Sequence, residues 1–289
     1  MGFRIEDGVL KEYTEEPGVT EVIIPDSVTT IGKYAFYRCK SLRSVFIPDS
    51  VTAIGVYAFS SCENLTNIVI PSSVTIIWGG AFSDCTSLTR IVIPDSVIPI
   101  GEYAFSGCSS LTSISIPDSV VSICNHAFYG CSNLTSISIP SSAISIGESA
   151  FDGCGKLTTI LAKAKLSQKA FGKTKFYAPI VTIDPAMLPL GMRHLATVGY
   201  AENPEEFEPG RKKSHLKYLK ANAEKMVDEA LTHPALLHLI LENKLLTRKT
   251  ADLFLDAAIK QQLTETTALL LDYKNQNAAV LDPMAEFNL

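Results

Sequence analysis

An α/β solenoid is the fold this chain predicts, and three observations predict it. Cys39, Cys62, Cys85, Cys108, Cys131 and Cys154 follow one another at a constant step of 23 residues. The segment Leu-Thr-Ser-Ile-Ser-Ile-Pro-Asp-Ser-Val that begins at Leu111 recurs in the same frame from Leu42, Leu65, Leu88, Leu134 and, degraded, Leu157, with a half-unit opening at Val19. Beyond about residue 183 the apolar spacing becomes helical. A fixed period of this length belongs to stacked units that touch only their neighbours, and not to a compact enzyme domain.

The amino end, residues 1–18, reads as a hairpin cap. Phe3 to Tyr13 alternates around Asp7-Gly8, a pair that tolerates the left-handed backbone of a tight hairpin turn. A solenoid exposes an apolar cross-section at each end, so this hairpin is expected to cover the first strand.

Residues 19–183 are the array. In each unit three positions, such as Leu111, Ile114 and Ile116, mark a strand of about five residues, and Pro117-Asp118-Ser119 ends it because Pro has no N–H to give a ladder. A second apolar group, Val51, Ile54, Ala58, Phe59 and Cys62 in one unit, returns the chain across the back. A single turn is too small to bury these groups, whereas stacking pairs every strand with the next in a parallel sheet and covers both faces of each turn.

The consensus Leu-x-x-Ile-x-Ile-Pro-x-x-Val-x-x-Ile-Gly-x-x-Ala-Phe-x-x-Cys resembles the BspA-type, or Treponema pallidum-type, leucine-rich repeat. The likeness includes an irregular seventh unit, with Ala170-Phe171 in place and Thr174 at the cysteine position. Trp78 and Cys124 replace the glycine found at Gly32, Gly55, Gly101 and Gly147, which raises a local bulge at those two turns. The resemblance implies a right-handed superhelix with parallel strands on its concave side. It also implies interaction and not catalysis, since the family is known mostly from bacterial and protist surface proteins that bind host or matrix proteins.

Residues 184–289 read as an α-helical domain. Asp184-Pro185 fits an N-cap followed by Pro at the first helical position. An acidic linker runs from Glu202 to Gly210, and Leu216, Leu219, Ala223, Met226 and Ala230 then recur at helical spacing. Leu236–Leu241, Leu253–Ile259 and Ala268–Leu271 mark three further helices, with Thr247 and Thr264 as N-caps. The stretch Pro234–Asn277 is similar to a degenerate ankyrin-type helix pair, without the Thr-Pro-Leu-His signature.

Composition narrows the function. With 46% hydrophobic and 19% charged residues the chain folds, and a net charge of −5 offers no general positive field for nucleic acid. No apolar run is long enough to span a membrane, and the start carries no leader pattern, so a cytoplasmic monomer is expected. The family resemblance implies the alternative of a cell-surface adhesin for a host or matrix protein or a glycan.

No cofactor, metal or catalytic residue is expected. Equivalent cysteines in stacked turns lie about 4.8 Å apart with parallel side chains, which suits neither a disulfide nor a tetrahedral metal site. His233 and His238 are five apart, off the four-residue step that sets two ligands on one helix face, and neither a P-loop nor a Gly-x-Ser-x-Gly elbow occurs. Arg211, Lys212, Lys213, Lys217, Lys220 and Lys225 form the one basic concentration, read as a solvated helix face, with docking to an acidic partner or RNA as the alternative.

The sheet surface is where a partner is expected. Strand positions between the core residues face outward: Glu21 and Ile23, Ser44 and Phe46, Asn67 and Val69, Arg90 and Val92, then serines in the next two units and Thr159 and Leu161. Ile23, Phe46, Val69 and Val92 form an apolar column beside a polar one. Phe46, Val69, Arg90 and Val92 are the expected principal contacts to an unknown protein or peptide. A second outward column, Tyr34, Tyr57, Gly80, Tyr103, His126 and Ser149, supplies aromatic anchors or packs ring on ring.

Overall fold

The structure, a computed structural model, describes residues 2–175, 181–182, 188–189, 192–202 and 211–277. The chain divides into two compact units, Met1–Ala178 with Met187–Leu190, and Pro179–Ala186 with Gly191–Leu289.

The first unit is a parallel-strand solenoid of about seven turns. It opens on an antiparallel hairpin, β1 (Gly2–Glu6) and β2 (Val9–Thr14), whose turn residues Asp7 and Gly8 both have positive φ. The following turns, except the fourth, contribute a front strand: β3 (Glu21–Ile23), β5 (Ser44–Phe46), β7 (Asn67–Val69), β10 (Ser113–Ser115), β12 (Ser136–Ile139) and β14 (Thr159–Ala162). The first six turns contribute a two-residue back strand: β4 (Thr30–Ile31), β6 (Ala53–Ile54), β8 (Ile76–Ile77), β9 (Pro99–Ile100), β11 (Ser122–Ile123) and β13 (Ser145–Ile146). The back strands pair in parallel into one sheet, which the sequence did not announce because two residues carry no alternation to read.

Three expectations are corrected here. The hairpin pairs with the back sheet and not with the first front strand: Val9 and Leu10 stand opposite Thr30 and Ile31. Tyr13 lies against the ring of Phe36 at 5.1 Å, so the hairpin covers the first ring of the aromatic core. Trp78 and Cys124 produce no bulge, since Trp78 N donates to Ile54 O and Cys124 N to Ile100 O, as Gly55 N does to Ile31 O. The front sheet is also not continuous: β3, β5 and β7 form one ladder and β10, β12 and β14 pair in another, with Arg90–Ile93 in no strand between them. The same turn carries Pro99, which has no N–H for the back ladder, and there the register with the preceding turn is reduced to Ile77 opposite Ile100.

The core follows from the repeat. Phe36, Phe59, Phe82, Phe105, Phe128 and Phe151 are fully buried, and successive rings lie 4.8 to 5.6 Å apart and nearly parallel. The spacing is close to that of neighbouring strands, so one ring per turn fills the interior as an offset stack. The N–H of each of these phenylalanines donates to the next turn, as from Phe59 to Ala81 O at 2.7 Å. The cysteines reach back: Cys62 Sγ donates to Phe36 O at 3.0 Å and Cys108 Sγ to Phe82 O at 3.2 Å. Ser50, Ser73, Ser96 and Ser119, from the turn motif, donate likewise to the preceding turn's valine carbonyl. Consensus polar residues thus satisfy buried main-chain acceptors that a lone turn would leave open.

In the second unit α2 (Arg193–Glu202), α3 (Arg211–Asn222), α4 (Val227–Thr232), α5 (Pro234–Glu242), α6 (Arg248–Lys260) and α7 (Thr264–Gln276) follow a short helix of the array, α1 (Gln168–Phe171). The helical spacing from Leu216 to Ala230 does not make one helix. A 3₁₀ turn at Ala223–Lys225 separates α3 from α4, so that Leu219, Ala223, Met226 and Ala230 all reach one core. Pro234–Asn277 holds three helices, α5, α6 and α7, at the three places where the apolar spacing marks them. Thr247 caps α6 with a reciprocal bond to Thr250, whereas Thr264 is the first residue of α7 and Leu263 precedes it. Asp184-Pro185 and residues 203–210 lie outside the described residues, and Glu202 ends α2.

Two outcomes are expected from this packing. Phe105→Ala opens a hole between two stacked rings and should lower stability by about 3 to 5 kcal/mol in denaturant unfolding. Burial raises the thiols of Cys39 and Cys108 to about 12, and it raises those of Cys62 and Cys85 as well. An unfolded thiol ionises near 9.0. The stability these thiols hold is complete below that value and declines as pH rises from there towards 12. Because the six periodic cysteines are buried and Cys124 is half-buried, a thiol reagent at pH 8 should react with Cys124 first and with the other six only on unfolding.

Candidate interaction surface on the repeat sheet

Alternation along each front strand turns two side chains outward for every one inward, and the register decides how they line up. Glu21 stands opposite Ser44 and Ile23 opposite Phe46; Ser44 then stands opposite Asn67 and Phe46 opposite Val69. The apolar column is thus built by the ladder itself in the first three turns. Ile23, Phe46, Val69 and Val92 are 66%, 57%, 65% and 64% exposed, while Val22, Val45, Ile68 and Ile91 behind them are buried. Side chains of this size left in water on adjacent strands form a patch and not scattered exposure.

Arg90 and Val92 sit where the front ladder opens. Main-chain groups of Arg90–Ile93 make no hydrogen bond among the described residues, although Ile91 and Ile93 are buried. Beside them is a cleft of about 250 Å³ lined by Arg90, Val92, Asp95, Ser113, Ser115 and Pro117, together with the two isoleucines. This is below the roughly 300 to 1,000 Å³ of small-molecule sites, and suits a single side chain better than a cofactor. No group of three or more His, Cys, Asp or Glu able to hold a metal occurs among the described residues. No helix there is long and apolar enough to cross a membrane.

The tyrosine column is organised differently. Tyr34 and Tyr57 stack at 5.5 Å, and Tyr103 stacks on His126 at 4.6 Å. Between the pairs the Tyr57 ring lies over Gly80, where a Cβ would come within 2.2 Å of it. All six positions of the column, Tyr34 to Ser149, have φ of 52° to 64°, a left-handed corner repeated in every turn. Each ring of a pair therefore gives one face to its partner. The column's non-glycine residues occupy a backbone region that costs of order 1 kcal/mol each, and ring stacking at Tyr34, Tyr57, Tyr103 and His126 works against that cost.

Sequence reasoning missed a third feature. Ile98, Val121 and Ile144 are exposed at the position that Thr29, Thr52 and Thr75 hold in the first three turns. The signal was present, since the residue after the conserved valine or alanine changes from Thr to aliphatic at the fourth turn. Trp78, Tyr37 and Tyr129 are likewise exposed. In the helical unit Lys212, Lys213, Lys217, Lys220 and Lys225 are exposed, as a solvated face requires. Asn64 and Asn133, which fit the glycosylation pattern, give their amides to carbonyls of the preceding turn.

Known proteins match this architecture. The BspA type leucine rich repeat region matches residues 11–109 and 79–181, together more than half of the chain. A leucine-rich repeat protein from Bacteroides ovatus is 33% identical over 58% of this chain and 48% of its own, with a TM-score of 0.53. The chain thus spans about half the length of that relative. The T. pallidum leucine-rich repeat protein is 28% identical over 71% of this chain and 85% of its own, with a TM-score of 0.53. No curated protein matches. Repeat, register and relatives agree that the chain belongs to the BspA-type leucine-rich-repeat family.

Proposed function

We propose that the chain is a non-enzymatic interaction module that binds a protein or peptide along the front sheet, with Phe46, Val69, Arg90 and Val92 as principal contacts and Ile23 at the near end. The observation that carries this reading is the column of Ile23, Phe46 and Val69, held in register by the ladder and more than half exposed. Val22, Val45 and Ile68 behind the column are already buried, so covering it by a partner removes from water apolar surface that the fold leaves exposed. Family membership supports an interaction role in general.

A glycan fits the surface less well than a peptide does. Sugars are held by open aromatic faces, and in the tyrosine column one face of each ring is already stacked on its partner. The front column has one ring, Phe46, among aliphatic side chains. Tyr34, Tyr57 and Tyr103 serve in this reading as a stiff flank whose edges and hydroxyls a bound protein could touch.

The test is the double variant Phe46→Ser, Val92→Asp in affinity capture from the native organism. Both side chains are exposed, so the melting temperature should move by no more than about 3 °C, while the partner taken by the unaltered chain should be lost. Capture of the same partner at undiminished yield would refute the site.

A further inference from the structure

The front sheet has a direction as well as an apolar stripe. Beside the apolar column runs the polar one, Glu21, Ser44, Asn67, Arg90, Ser113 and Ser136, in which the fully charged members are an acid at the first turn and a base at the fourth. Both are exposed, and neither has an oppositely charged group within ion-pair distance among the described residues. The other strands place Ser, Asn or Thr at this position, so the repeat itself does not require a charge there. Three strand spacings of about 4.8 Å set the two charges roughly 14 Å apart, with Ile23, Phe46, Val69 and Val92 running alongside. The cleft at the opened ladder is lined by Arg90, Ser113 and Ser115 and by the unladdered main chain of Ile91–Ile93, which together supply donors suited to a carboxylate.

We propose that this strip recognises an extended peptide segment carrying a basic side chain over Glu21 and an acidic one over Arg90, four residues apart, with apolar side chains between them. The proposal rests on the front sheet being the docking face and names what docks there. An extended chain rises about 3.4 Å per residue, so four residues cover about 14 Å, and its side chains alternate. Charged positions i and i+4 then point to the polar column while i+1 and i+3 point to the apolar one. Other charges nearby do not set this direction. Asp26, Asp49, Asp95 and Asp118 recur in the turns on the far side of the apolar column, with Ser72 at that position in the third turn, and acids thus stand at both ends of the strip on that flank. Asp95 borders the same cleft as Arg90, which limits that subsite to a single negative charge. Arg43 precedes its strand and stands outside the column.

The experiment uses the full chain and four capped heptapeptides, Thr-Xaa-Val-Thr-Val-Zaa-Thr, with Xaa and Zaa as Lys and Glu, Gln and Gln, Lys and Lys, or Glu and Glu. Binding is followed by chemical-shift titration at low salt. The Lys/Glu peptide should bind tightest, with each matched charge worth roughly 2- to 5-fold, the range of exposed ion pairs. Arg90→Glu should transfer the preference to Lys/Lys, and Glu21→Lys should transfer it to Glu/Glu. Phe46→Ser should weaken all four peptides alike. Equal binding of the four peptides, unaltered by either charge variant but weakened by Phe46→Ser, would overturn the charge assignment and leave the docking face standing. Absence of binding by any peptide also overturns it, and in that case the capture experiment decides the docking face separately.

Discussion

Each 23-residue turn of this protein depends on the turns beside it for bonds that it cannot make alone. Phe59 gives its N–H forward to Ala81 O, and Cys85 gives its Sγ–H back to Phe59 O. Its ring is enclosed only because Phe36 and Phe82 lie on either side. These contacts are one device repeated, in which a buried donor, acceptor or aromatic face is completed by the equivalent residue one period away. Stability in such an array is a sum of neighbour terms, and the ends need covers, which Tyr13 and the hairpin supply at the amino end.

That dependence separates residues that may vary from residues that may not. Inward positions are held to Ile, Val, Leu, Ala, Phe and Cys, because each must fit against its own copy above and below. Outward positions of the front strands meet no such demand, and there the sequence drifts from Glu, Asn and Arg with apolar neighbours to serine. Function is therefore to be sought among the departures from the repeat. The fourth turn concentrates them: Arg90 outside, Pro99 in the back strand, Ile98 where earlier turns have threonine, and a front ladder that opens at the same level.

The site was legible to different depths. Strand alternation alone assigned Ile23, Phe46, Val69 and Val92 to the outer surface, since a period of two leaves no choice once Val22, Val45, Ile68 and Ile91 are inside. The tyrosine column could be listed but not interpreted, because whether rings at equal steps stack or splay depends on the left-handed corner that carries them. The exposed Ile98, Val121 and Ile144 escaped notice for a related reason: one residue beyond a conserved valine, alternation does not say whether a side chain turns in or out at a corner.

The amino-acid sequence by itself determined the repeat, its period, the parallel pairing of equivalent residues and the identity of the buried set, because periodicity is a property of order along the chain and stacking follows from it. The tertiary structure decided where the periodicity breaks. That the hairpin joins the back sheet, that the helical stretch near Ala223 bends into a 3₁₀ turn, and that the front ladder parts at Arg90 all depend on which neighbour completes each main-chain hydrogen bond. Such pairings are settled only when whole turns come together in space.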